Sequence, residues 1–272
     1  MKKYELTSET KVINGVELHR IKALKSFGKI KEGELGGWIE SEKNLSQDGN
    51  AWVGDNAMVY GNAKVCENAV VGENATVLWN AKVSGNAKVC ENAVVGGNAT
   101  VGGDAIVGGD ATVYENAKVG ENATVLWNAT VRGNAKVGGD ATVGGHAKVG
   151  GDAIVSGNAW IRGDATVGGY AMVSGDATVR GNAFICGDAT VRGQEDYIVF
   201  KNWWSSGRYF TWTRSNNKWT VGCFYGSGEE LIAKAYKDSE KSGREYERVV
   251  NYVESILKEE DNDNGNRNKC ED

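Results

Sequence analysis

The sequence predicts a mainly β protein, a parallel β-helix of about eight three-hexad coils with an N-terminal β cap and a small C-terminal α+β domain. Three observations carry this. From Asn50 to Gly193 the phrase [Asn/Asp]-Ala-x-Val-x-x runs through 24 hexads without insertion or deletion, and its aliphatic position is valine except at Ile161 and Ile185. Residues 1–49 do not share that phase, and after Gly193 the composition changes abruptly. The chain also contains no proline, which would delete a ladder donor from a parallel coil.

Within a hexad the Ala and Val are two apart, so on an extended segment both face inward and the residue between them faces out. The glycines before each Asn or Asp, as in Val107-Gly108-Gly109-Asp110, tolerate positive φ where the chain turns a corner. Three strands and three corners close a coil of eighteen residues, and coils stacked at about 4.8 Å make a rod about 38 Å long. Burying one valine gains roughly 1.5 to 3 kcal/mol, whereas ordering six residues costs about 6 to 12 kcal/mol of backbone entropy. No hexad is stable alone, and stacking must supply the difference. The phrase Val53-Gly54-Asp55-Asn56-Ala57-Met58 resembles the hexapeptide motif of left-handed parallel β-helices. Left-handedness is implied by that resemblance and not by the period.

The segment 1–49 is expected to cap the rod, because an open coil end invites edge pairing. Lys11 to Leu18 reads as a hairpin with an Asn14-Gly15 turn. Gly28 to Ile39 and Asn44 to Asn50 follow, with Trp38 and Ile39 placed over the first coil. The words LGGWIE (35–40) and NLSQDGNAWV (44–53) look like the entry segment of YdcK-like hexapeptide-repeat proteins, which are bacterial and phage-encoded. Val221 to Leu231 resembles a small domain appended to phage β-helix proteins. The resemblance implies a mobile-element origin and no particular activity.

The C-terminal domain is assigned to 194–260. Tyr197 to Lys201, Tyr209 to Arg214 and Trp219 to Phe224 read as strands, the last two joined at Asn216-Asn217. Ser227 and Glu230 form a capping box that opens a helix through about Lys237. A second helix is expected after Gly243, with Tyr246, Val249, Val250, Val253, Ile256 and Leu257 at helical spacing. Asp261 to Asp272 reads as a disordered polar tail.

Composition narrows the function classes. With no apolar run near 18 residues and no signal peptide, a cytoplasmic, non-membrane protein is expected. Cys66, Cys90, Cys186, Cys223 and Cys270 lack CxxC or metal spacing, so reduced thiols and neither metal nor cofactor are expected. A net charge of −5 argues against general nucleic-acid binding.

Chemistry has few places to reside. Acyltransferases built on hexapeptide β-helices resemble this chain in the repeat and usually use a histidine base, but only His19 and His146 are present. His19 falls in the cap hairpin, and His146 replaces Asn/Asp at what reads as a positive-φ corner. No loop leaves the array to build a cleft. No catalytic residue is therefore assigned.

Residues eighteen apart stack on one face. Lys64, Lys82, Lys118 and Lys136 share a face interrupted by Thr100, suited either to a polyanion or nucleotide phosphate or simply to solvent. Asp55, Glu73 and Glu91 make a short acidic edge. Thr76, Thr112, Thr130 and Thr166 share a third face, but Val94 and Lys148 interrupt it, which disfavours ice binding. Val71 to Ala81 recurs 48 residues on, which is not a multiple of eighteen, so Leu78-Trp79 and Leu126-Trp127 project in different directions. Ile154 and Met172 on one face, and Trp160 and Phe184 on the other two, suggest a docking or subunit seam. In the last domain Trp203, Trp204, Trp212 and Trp219 lie beside Lys201, Arg208, Arg214 and Lys218. They form either a surface for a base, sugar or partner side chain or the core of a small sheet.

These features predict a non-catalytic binding protein whose rod is a platform, self-associating as a dimer or trimer. The expected partners are a host protein and a nucleotide or polyanion. The phage resemblance implies antagonism of a host process such as an immune nuclease or its nucleotide signal. A purely structural or oligomerising element is the alternative, and a hexapeptide-repeat acyltransferase the second.

Overall fold

The computed structural model describes residues 2–267 and divides into two compact units between Asp196 and Tyr197. In the first unit the x-Val pair of each hexad is a two-residue strand, from Trp52–Val53 to Thr190–Val191. Each strand pairs in parallel with the one three hexads on, as Lys64 with Lys82 and Val65 with Val83. The Ala and Val columns are buried throughout, so the chain is a parallel β-solenoid with three faces, named here for Trp52, Met58 and Lys64.

Every corner turns on the last residue of the hexad. That residue takes positive φ whether it is glycine, as Gly109 at 70°, or a larger residue, as Asp55 at 52°, Trp79 at 61° and Trp127 at 60°. The reading of His146 is corrected by this. The left-handed residue is Gly145, while His146 follows it, exposed, donating its N–H to the Gly163 carbonyl at 2.8 Å. Its slot belongs to the outer Asn/Asp column, where side chains stack coil upon coil. Asn62, Asn80, Asn98 and Asn116 each donate Nδ2 to the Oδ1 of the asparagine eighteen residues on, at 3.0 to 3.1 Å, and Asn134 donates to Asp152 at 2.9 Å. A carboxylate accepts without donating onward, so each aspartate ends a run.

The ladder has a polarity that explains the cap. The N–H groups on either side of each valine donate to the Ala and Val carbonyls of the following coil, as Trp52 to Ala69 at 3.0 Å and Gly54 to Val71 at 2.8 Å, which leaves the Ala and Val carbonyls of the first coil without donors from the rod. Residues before Asn50 supply them. Trp38 N–H reaches Ala57 O at 2.9 Å, Ser46 N–H reaches Val65 O at 2.9 Å, and Asn44 Nδ2 bridges the carbonyls of Gly61 and Ala63. The buried Lys3 ammonium donates to Ala51 O at 2.8 Å.

The hairpin turns at Asn14 and Gly15, both at positive φ, between β1 (Tyr4–Ile13) and β2 (Val16–Ala23). β2 pairs antiparallel with β3 (Leu35–Ile39), and β3 pairs parallel with Met58–Val59, so the Met58 face continues into an eleven-stranded sheet. Trp38 and Ile39 are thus a rung of the ladder. Gly37 lies where a Cβ would be 2.6 Å from the Ala57 carbonyl, which accounts for a glycine there.

The second unit is a four-stranded antiparallel sheet with two helices. Its strands are Tyr197–Lys201, Tyr209–Thr213, Lys218–Val221 and Phe224–Gly226. The expected strand to Phe224 is split at Gly222, whose φ of 59° breaks it into two antiparallel strands. Ser227 and Glu230 close the expected capping box on α1 (Gly228–Asp238). α2 (Glu240–Arg267) begins before Gly243, which does not break the helix. There the Tyr236 ring of α1 crosses so closely that a Cβ has no room. The α2 backbone also continues to Arg267, through the first part of the stretch that the sequence predicts to be a tail. The rest of that tail, residues 268–272 with Cys270, lies outside the described residues. Among the described residues, no helix is long and apolar enough to cross a membrane.

Candidate functional site

The unbroken eighteen-residue register positions the Lys64 face. Lys64 pairs with Lys82, Thr100 follows, Lys118 pairs with Lys136, and Ile154 and Met172 continue the column. All four lysines are exposed, and among the described residues none is in an ion pair. Like charges directly opposite on a ladder repel, and strand spacing keeps their Cα atoms only about 4.8 Å apart.

A shallow groove of about 450 Å³ runs beside Lys118 and Lys136, bordered by Gly120, Gly138 and Ile154. The glycines keep its wall low. Glu121 borders it too, its carboxylate accepting the Gly139 N–H, and Lys118 and Lys136 are the cations that line it. Ile154 is half-buried and Met172 exposed on this face, whereas Trp160 lies on the Trp52 face and Phe184 on the Met58 face. Those four residues therefore do not form one seam.

Of the two readings of the second unit's tryptophans, the core of a small sheet holds for Trp204, Trp212 and Trp219. Trp212 and Trp219 are each 1% exposed and build the core with Trp204, Phe210, Leu231 and Tyr246, so they cannot stack on a ligand. Trp204 sets its ring edge-on to Tyr246 at 5.0 Å. Alternation along a short strand does not say which face is covered, and α1 and α2 cover the tryptophan face. Trp203 is the tryptophan left outside, at 72% exposure.

Arg214 is held in two hydrogen bonds to Glu260, at 2.6 and 3.2 Å, which lower the Glu260 carboxyl below its usual range. Arg208 instead lines a cavity of about 260 Å³ with Asn202, Cys223, Lys234 and Asp238. Asn202 is buried, donating to the Tyr246 hydroxyl at 3.0 Å and accepting from Ser205 N–H at 2.9 Å. No sequence signal marks this cavity, because its residues converge only when α1 packs on the sheet. Burial raises the thiol pKa of Cys66 and of Cys90, so neither is a reactive thiolate. Among the described residues no group of three His, Cys, Asp or Glu side chains is placed to hold a metal ion.

The molecule is thus a hexapeptide-repeat parallel β-solenoid followed by a small α+β unit. No protein-family profile matches the chain, and no curated protein matches it. Among solved structures, an Arabidopsis UDP-N-acetylglucosamine acyltransferase is similar over 56% of this chain and 70% of its own, at 11% identity and a TM-score of 0.19. Similarity at that level carries no argument about chemistry.

Proposed function

We propose that the chain is a non-catalytic binding scaffold whose Lys64 face takes a phosphate-rich ligand. One observation carries this reading: four unpaired lysines held in register on one face, with Lys118 and Lys136 beside a glycine-walled groove. Mutual repulsion raises the free energy of the empty face, and a polyanion relieves it. The entry-segment resemblance to YdcK-like and phage proteins supplies the setting: a cytoplasmic phage or prophage factor that sequesters the nucleotide signal of a host immune nuclease.

Calorimetry with inorganic tripolyphosphate and with a short single-stranded DNA tests the face directly. Binding is expected to weaken as salt rises and to fall at least about tenfold in Lys118→Glu/Lys136→Glu at unchanged melting temperature. If neither probe binds, or if the variant binds as well as wild type, the reading fails and the rod is left as a structural element.

A further inference from the structure

The corner between the Trp52 and Met58 faces is sorted by charge along the rod. Numbering its coils one to eight, coils one to three carry Asp55, Glu73 and Glu91, coil five carries Trp127, and coils seven and eight carry Arg162 and Arg180. Asp55 is fixed there by the Glu73 N–H at 3.2 Å. Arg162 lies over the Trp160 ring, 5.6 Å from its centroid. Both arginines are exposed, and among the described residues neither is in an ion pair. Trp127 packs against Gly144 of the next coil yet remains 58% exposed, at a left-handed φ that a bulky residue rarely adopts.

We propose that this edge and the adjoining Trp52 face form the seam of an antiparallel dimer of the chain. A two-fold axis lying in the seam across the rod, between coils four and five, pairs each coil n with coil nine minus n. Asp55 then meets Arg180, and Glu73 meets Arg162. Trp127 of each copy faces the Gly108-Gly109 turn of the other beside the axis, where Gly108 is buried and the Leu126 and Cys90 side chains lie against it.

The Trp52 face obeys the same operator. Val70 on coil two, 40% exposed, meets Trp160 on coil seven, 49% exposed. Lys88, the lone charge among this face's outward strand residues, meets Thr142. In the flanking Asn/Asp column Asp104 meets Asn122, Asp140 meets Asn86 and Asp176 meets Asn50, so no two carboxylates are opposed. Parallel side-by-side packing on this edge sets Asp55 against Asp55 and Arg180 against Arg180, which repels. The strip is about 38 Å long and buries on the order of 500 Å² per partner, near the low end of specific interfaces, so the dimer is salt-sensitive. This surface is separate from the Lys64 face, and either assignment stands or falls without the other.

Sedimentation of the full chain tests it with two charge-reversed variants, Arg162→Glu/Arg180→Glu and Asp55→Lys/Glu73→Lys. Wild type is expected to dimerise, more weakly at high salt. Each variant alone is expected to weaken the dimer at least about tenfold, and an equal mixture of the two to restore it, because each then offers the charge the other lacks. Circular dichroism checks that both variants keep the solenoid. A wild-type monomer or trimer, a dimer indifferent to both variants, or a mixture that stays monomeric overturns the proposal.

Discussion

Lys3 is 1% exposed, with its ammonium against the Ala51 carbonyl and 5.1 Å from the Phe27 ring centroid. Burial, opposed by Asp48 and reinforced by Lys25, lowers its pKa from 10.5 to about 8. The unfolded chain keeps that proton to the ordinary value, so between these two pH values the unfolded state binds a proton that the folded state has released. Stability from this group therefore rises with pH across the window, and below it the buried charge is a standing cost. The melting temperature of wild type minus that of Lys3→Met is expected to climb from about pH 8 to about pH 10. A flat difference contradicts the assignment. Nothing in the sequence marks Lys3, because its partner Ala51 is 48 residues away.

Among the elements, the asparagine column acts as a second ladder outside the backbone one. Asn98 accepts from Asn80 and donates to Asn116, each at 3.0 Å. Removing both bonds in Asn98→Ala is expected to cost about 1 to 2 kcal/mol. Asn98→Asp keeps the acceptor alone and is expected to cost roughly half as much. Urea unfolding of the two variants gives the comparison, and equal losses would show that the stack contributes nothing directional.

Periodicity makes the strands and columns legible, because a hexad without insertions leaves no choice of register. A glycine just before the Asn or Asp slot already marks the left-handed residue, so the corner belongs to Gly145 and not to His146. In the second unit local signals such as the Ser227–Glu230 box are readable, whereas Gly222 and Gly243 take their meaning from neighbours that only the folded chain brings near.

For the whole molecule, the Lys64 face is legible because its residues occupy one hexad position at an interval of eighteen. The charge-sorted edge is only half legible. Its carboxylates fill the sixth hexad position and its arginines the fifth, so no single column holds both, and they meet only at the turn. The same geometry makes rod length and surface inseparable. Inserting one hexad between Gly109 and Asp110 turns everything beyond it by a third of a revolution, so Lys118 and Lys136 leave the face of Lys64 and Lys82. That insertion is expected to lower tripolyphosphate affinity severalfold with little change in melting temperature; unchanged affinity would show that the four lysines do not act together.

The cap that donates to the first coil's carbonyls would be untouched by such a change. Growth in this architecture therefore has a reading frame three hexads long. Additions in frame lengthen the existing surfaces, and additions out of frame shuffle the faces beyond them over an intact core.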